Sequence, residues 1–198
     1  MKKDVFKEEL DRFTNEKVRI SAEILLERLP DYFYHIPASS TGKNHPAYAL
    51  GEGGLVRHVK AAMMFLEEMF RDSAFGEYDE YTKDLIRMTL LLHDGFKSGY
   101  ENSGHTVHSH PLIMSDVILY NRERLLISNQ EAEFVASLIR SHMGPWTTSP
   151  SSDKILPLPK TREELLVHLC DYVASRKMFN VEFKELNEGK KRVKISDK

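Results

Sequence analysis

The sequence predicts an all-α fold in one domain, and three observations carry that prediction. Apolar residues recur at helical spacing in one segment after another. The stretches between them hold residues that stop or cap helices. The chain of 198 residues, 41% apolar and 29% charged, suits a single domain with a sizeable core.

From Asp4 to Leu29 the residues Val5, Phe6, Leu10, Phe13, Val18, Ile20, Ile24, Leu25 and Leu29 keep a helical spacing. They predict an N-terminal helical segment over residues 1–30, with a break or two, stopped by Pro30. Asp31 to Gly54 is rich in Pro, Gly, Ser, Asn, Tyr and His and predicts a long ordered loop carrying His35 and His45. Loops of that length inside compact domains are often functional. Gly53-Gly54 opens a helix from Leu55 to about Phe70, striped by Val56, Val59, Met63, Phe65, Leu66, Met69 and Phe70. His58 lies one position off that stripe, in the first turn. The next helix runs from about Tyr78 to His93 and becomes more apolar towards its end, through Leu85, Ile86, Met88, Leu90 and Leu92.

Gly95 to Ser109 reads as a loop with glycines and histidines. Pro111 suits the first residue of a further helix to about Tyr120, where its missing N–H costs nothing. Asn129 is expected to cap the helix that carries Phe134, Val135, Leu138 and Ile139 and ends at His142-Met143-Gly144-Pro145. Trp146 to Pro159 is irregular, with three prolines. Thr161-Arg162-Glu163-Glu164 forms a capping box opening a helix through Leu165, Leu166, Leu169, Tyr172 and Val173. The tail over residues 180–198 alternates briefly and turns at Asn187-Glu188-Gly189, which predicts a short β-hairpin or a frayed end. No internal repeat and no interdomain linker is visible, so residues 1–198 read as one domain.

Composition narrows the function. A net charge of −2 argues against a broad surface that coats nucleic acid, while leaving room for a local basic pocket that takes one phosphorylated ligand. The single cysteine, Cys170, cannot form a disulfide within the chain, which points to a reducing, cytoplasmic setting. The first residues lack the apolar core of a signal peptide, and no apolar run reaches membrane-spanning length, so no membrane partner is expected.

Chemistry concentrates in Leu90-Leu91-Leu92-His93-Asp94-Gly95-Phe96-Lys97. Burying a His and an Asp behind three leucines is costly unless something pairs with them, and the partner is either a cation or an ordinary hydrogen-bonding group. Consecutive residues on a helix do not share a face. His93 and Asp94 can therefore approach one metal only from a helix end, where Gly95 places them. His58, His110, His142 and Asp171 fall at other helix starts, interiors or ends, and add the company that a lone His-Asp pair lacks. Mixed imidazole and carboxylate ligands suit iron, manganese, cobalt, nickel or zinc better than calcium.

The order His58, His93-Asp94, His110 before Pro111, His142 and Asp171 resembles the HD-domain phosphohydrolase superfamily, over roughly residues 50–178. Gly53-Gly54-Leu55-Val56-Arg57-His58 is similar to the opening helix of HD domains in bacterial 3′–5′ exoribonucleases and related phage or conjugative proteins. His93-Asp94-Gly95-Phe96-Lys97 resembles the family's His-Asp-x-x-Lys, and Cys170-Asp171-Tyr172-Val173-Ala174-Ser175-Arg176 its closing Asp helix. The resemblance implies a helical HD bundle that holds one or two divalent transition metals. His58, His93, Asp94 and Asp171 would bind the first, and Asp94 would bridge to a second held by His110 and His142. It implies a phosphohydrolase whose water nucleophile is activated by metal. Lys97 would contact phosphate or assist the leaving group, with Arg176 as a further phosphate contact.

The expected substrate is a small phosphoester, a nucleotide or a related molecule. Alternatives are a cyclic-nucleotide phosphodiesterase and a 3′–5′ exonuclease. The exonuclease ranks lower because the chain is net acidic and too short for a separate nucleic-acid-binding domain. The absence of a Gly-Tyr-Pro signature lowers the cyclic-di-GMP branch. From other classes come a non-catalytic, metal-stabilised nucleotide-binding or interaction module and a di-iron oxygenase, and Lys97 argues against both.

Several histidines have ordinary explanations. His35 and His168 read as hydrogen-bonded surface or core residues. His45, His105 and His108 flank the site, and substrate contact stands level with plain solvation; His45 and His105 are taken as substrate-contact candidates. Met63, Met64, Met69 and Met88 are core filler. The run Lys190-Lys191-Arg192 reads as a solvated tail. A homodimer through the amphipathic N-terminal segment is a further expectation.

Overall fold

The computed structural model describes residues 2–72 and 74–180, and every regular element within them is a helix. A 3-10 turn over Lys2–Phe6 leads into α1 (Lys7–Leu10). The chain breaks and resumes as α2 (Glu16–Leu26), whose N-cap Asn15 accepts from the backbone N–H groups of Lys17 and Val18. Phe6, Leu10, Val18, Ala22, Leu25, Leu26 and Leu29 all enter the chain's own core. These residues are therefore not on display for a second copy of the chain.

The loop to Gly53 contains 3-10 turns at Asp31–Tyr34 and Ala47–Ala49. Backbone bonds tie it to the next helix: Gly53 N–H donates to His35 O at 2.8 Å and Leu55 N–H to Ile36 O at 2.9 Å. Helix α3 (Gly54–Arg71) starts against that loop so closely that a Cβ on Gly54 would lie 2.3 Å from the Ala49 carbonyl oxygen. The Gly-Gly pair thus sets where the first turn of α3, and with it His58, must sit.

Helix α4 (Glu80–Leu92) is capped by Asp79 and buried at every position from Asp84 to Leu92. A helix buried on all sides belongs in the middle of a bundle. It packs on α2 and α3, and on α6 (Asn129–Ser141) and α7 (Arg162–Ala174). Helix α5 (His110–Asn121) lies against α6, and α3 against α7. The polar residues in α4 are paired. Asp84 accepts from Thr14 and Asn15 in the break before α2, and Arg87 donates to both Asp84 and Glu67. Burying these charges is tolerated because each has a partner.

Caps follow the sequence with small shifts. Helix α6 is capped by Ser128, one residue before the expected Asn129, because Ser128 and Glu131 close a reciprocal capping box. Thr161 and Glu164 form the box expected for α7. His110 is the first residue of α5 and Pro111 the second. The irregular segment after His142 holds one isolated antiparallel bridge, Ser149 to Ser152. The hairpin expected after Val181 and the Lys190-Lys191-Arg192 run lie outside the described residues. No helix among the described residues is long and apolar enough to cross a membrane.

Gly54→Ala is expected to destabilise the chain by about 1–3 kcal/mol, since the clash falls on a backbone carbonyl that no rotamer change relieves. A urea midpoint unchanged from wild type would show that the loop is not clamped as described.

Candidate metal centre

Five helices deliver one ligand-type side chain each, and Asp94 follows directly on one of them. His58 comes from the first turns of α3, His93 from the C-cap of α4, His110 from the start of α5, His142 from the C-cap of α6, and Asp171 from α7. Asp94 is fixed by Gly95, where a Cβ would meet Leu29 and Met114 at 2.6 and 2.9 Å. The four histidines and Asp94 are completely or almost completely buried. The carboxyl-terminal ends of α4 and α6, with their partial negative charge, favour a cation beside His93 and His142.

The two oxygens of Asp94 face different neighbours. Oδ2 stands 3.7 Å from His58 Nε2 and 3.5 Å from His93 Nε2. Asp171 Oδ1 completes that group, 2.9 Å from His58 Nε2 and 3.5 Å from His93 Nε2. Oδ1 of Asp94 stands 3.0 Å from His110 Nε2 and 3.8 Å from His142 Nε2. The six residues therefore form two potential ligand groups that share Asp94.

Three of the imidazoles are oriented by their own helix ends. Nδ1–H of His93 donates to Leu90 O, of His110 to Val107 O, and of His142 to Ile139 O, at 2.6–2.7 Å. With the proton on Nδ1, each Nε2 turns a lone pair into the cluster, the usual arrangement of a metal-ligating histidine. His110 and His142 then face each other, Nε2 to Nε2, at 3.2 Å. Two opposed lone pairs at that distance repel unless a positive charge stands near both. Asp94 Oδ1 likewise receives no hydrogen bond, because the nearby His110 Nε2 offers only a lone pair. His93 Nε2 and His58 Nδ1 are also buried without partners. Buried polar atoms are rarely left so, and the donor set fits one or two divalent transition metals.

Charges within the cluster are strongly coupled. Burial resists ionisation of Asp94, yet Lys97, His93 and His110 outweigh it and hold the carboxyl well below its usual range. Asp171 is also held well below that range, against burial, by the hydrogen bond from His58 and by the nearness of His93. Burial opposes charge on His93 too, but Asp94 and Asp171 raise its pKa. His142 goes the other way: burial, and then the charges of His93 and His110, push it down to about 3.

Above the cluster is a pocket of about 200 Å³. Lys97, expected one turn beyond His93, pairs with Asp94 Oδ2 and lines the pocket. Arg176 reaches its rim, donates to Ser175 Oγ and lies over the Tyr172 ring, 4.4 Å from its centroid. His45 enters from the 31–53 loop, edge-on to His58 with ring centroids 5.7 Å apart, and its buried Nδ1 has no partner. His105 is exposed, hydrogen-bonds Ser103 O, and lines a neighbouring depression rather than this pocket. His108 contacts Thr147 O, and His35 lies near Glu52 on the surface. His168 contacts the His142 backbone carbonyl at 2.8 Å and sits where a Cβ on Gly144 would be, so its role is to brace the end of α6. Trp146 and Tyr172 also line the pocket, and Tyr172 is read from the sequence only as an inward residue of its helix.

A helical bundle whose helix ends converge four imidazoles and two carboxylates below a lysine-bearing pocket defines a His/Asp metal-site domain. The HD-domain family model matches residues 55–176, more than half of the chain. The chain belongs to the HD-domain superfamily of metal-dependent phosphohydrolases. Neither the curated proteins nor the solved structures searched return a match.

The depressed histidines predict an acid sensitivity in chelated protein. His142 titrates near 3 folded and near 6.5 unfolded, so the unfolded chain binds the extra proton between those values and stability falls with falling pH. His45, lowered to about 4 by burial and the charges of Lys97 and His58, acts in the same sense. The raised His93 does not cancel this slope: its contribution is complete below about 6.5 and is lost only as pH rises through its folded value. The low carboxyls add their own loss below about 4. Each depressed histidine contributes up to about 1.4 kcal/mol per pH unit below about 6.5. Urea denaturation at about pH 4.5, 5.5 and 6.5 should show this slope, and His142→Gln should make it shallower. An unchanged slope would show that His142 is not held neutral.

Proposed function

We propose that the chain hydrolyses a phosphoester of a nucleotide or a related small molecule. The observation that carries this reading is Asp94: its two oxygens face two ligand groups, and Lys97 stands beside it on the floor of the pocket. His58, His93, Asp94 and Asp171 would hold one divalent cation, and Asp94, His110 and His142 a second. Such ions supply a water of lowered pKa and Lewis-acid charge for the phosphoryl oxygens.

The remaining roles fall to the chain's own groups. Lys97, whose side chain is largely buried, stabilises charge on the phosphate, and that burial strengthens the interaction. Arg176 has no carboxylate partner among the described residues and offers its guanidinium at the rim. His45 presents an uncommitted ring nitrogen towards the same space and serves as a further hydrogen-bonding contact to substrate. A reducing, cytoplasmic setting fits Cys170, a buried thiol pushed up to about 12 by burial and then by Asp171.

A second reading has one observation in its favour. A cleft of about 330 Å³ lined by Lys43, Asn44, Arg176 and Lys177 adjoins the pocket across Tyr172. That strip of positive charge suits a phosphodiester with a further phosphate beyond the scissile one, such as the 3′ end of an oligonucleotide.

The test is elemental analysis of protein purified with its own metal, alongside turnover of nucleoside monophosphates, cyclic nucleotides, a short oligonucleotide and a bis-nitrophenyl phosphodiester. The two ligand groups predict that Asp94→Ala loses both ions and all turnover, and that His142→Ala loses one ion. Lys97→Ala should retain the metals and lose about 100-fold or more in kcat/KM, the scale of removing one preorganised charge partner. Folded wild type without metal would sink the catalytic reading. A wild type with one ion would reduce His110 and His142 to contacts that orient the others.

A further inference from the structure

The pocket beside Lys97 is small when set against a whole nucleotide. Its volume of about 200 Å³ falls below the ~300 Å³ at which sites begin to enclose whole small ligands. With a phosphate held next to Lys97, the organic part of the substrate extends past the mouth, where Trp146, Tyr172 and Arg176 stand.

The mouth is built from a stack of three side chains. Arg176 covers one side of the Tyr172 ring, and Trp146 lies nearly parallel to that ring with centroids 5.6 Å apart and planes at 18°. All three line the same pocket as Lys97, His110 and Asp171. The stack is held in place from below. Tyr172 follows Asp171 on α7, and His168, one turn earlier, touches both Trp146 and the His142 carbonyl. Trp146 nonetheless remains 47% exposed. An indole that stacks on Tyr172, touches His168 and still stays about half exposed beside a small cavity does not contribute to the core as a buried aromatic would. It has the form of a stacking platform.

We propose that Trp146 is the platform for a heteroaromatic base, stacking the base of a nucleotide whose phosphate occupies the metal pocket. This rests on the phosphohydrolase reading for the position of the phosphate, while the stacking itself does not. The platform reads a flat π face rather than a hydrogen-bond pattern, so it selects nucleotides over sugar phosphates without strong preference among bases.

Trp146 is the only tryptophan in the chain, so its emission reports the contact directly. Metal-loaded wild type would be mixed in a stopped-flow instrument with the 5′-monophosphates and 3′,5′-cyclic monophosphates of the four common bases, with adenosine, and with ribose 5-phosphate. Saturable quenching by base-containing ligands, and none by ribose 5-phosphate, is the expected result. In steady state, kcat/KM for the best nucleotide should exceed that for ribose 5-phosphate by 10-fold or more. Trp146→Ala should cut that ratio by roughly 5- to 100-fold, as loss of one base–aromatic stack does, and Trp146→Phe should keep most of it. Circular dichroism of both variants separates these effects from misfolding, and the wild-type comparison needs no variant. Absence of quenching by every base-containing ligand, or equal kcat/KM for nucleotide and sugar phosphate, overturns the platform. Quenching without turnover of any phosphoester supports the platform and overturns the hydrolase reading. Turnover of the nitrophenyl diester with no base preference does the reverse.

Discussion

The structure depends on the burial of one carboxylate. Asp94 is almost wholly removed from water at the end of a helix that is itself buried on every side. An isolated carboxylate there would be protonated or would unfold its surroundings. It stays charged because Lys97 pairs with one of its oxygens and His93 stands close by, while imidazoles from four helices enclose both oxygens. The requirement runs outward from this point. The lysine must follow within a turn, the exit must be tight enough to need Gly95, and each neighbouring helix must begin or end at the same place.

The scaffold meets these demands with local devices rather than long-range ones. Each of three histidines takes its ring orientation from a carbonyl three residues earlier in its own chain. A ligand set built this way needs helix ends to be placed correctly, but needs few additional side chains to aim the rings. Helix α3 is placed by the Gly53-Gly54 contact with the 31–53 loop. Helix α6 is braced at its end by His168 over Gly144. The break before α2 is held by Asp84, which also anchors α4. The same few positions thus serve stability and site geometry together.

These contacts explain what could be read from the sequence and what could not. Helices and their ends were legible because apolar spacing and capping residues are local properties, as at Leu55–Phe70 and Thr161–Glu164. The convergence of His58, His93, Asp94, His110, His142 and Asp171 was legible only through the family pattern, because spacing along a chain does not say which helix ends meet. The Asp84–Arg87–Glu67 group was invisible for that reason: three charges in amphipathic helices look like solvated faces until packing buries them. The cap of α6 slipped by one residue because Ser128 and Asn129 are both good caps, and only the reciprocal bond with Glu131 separates them. His168 did prove to be a hydrogen-bonded residue, and the carbonyl it touches belongs to His142. Tyr172 escaped because an aromatic within an apolar helical stripe reads as core until packing places it beside the pocket.

The cluster also sets how metal binding and folding are linked. With the histidine protons on Nδ1, the folded chain opposes two lone pairs and leaves His93 Nε2 and Asp94 Oδ1 without hydrogen bonds. Each such group costs free energy relative to the unfolded chain, where water satisfies it. Divalent cations held in the two ligand groups would remove these penalties together, and only in the folded state, where the ligands are assembled. Their binding energy would therefore be folding energy as well. The burial that keeps His142 neutral at low pH also keeps it ready to act as a ligand, since only the neutral imidazole has a lone pair to donate. Preorganisation for a cation and instability without one are, in this centre, the same property of the same buried atoms.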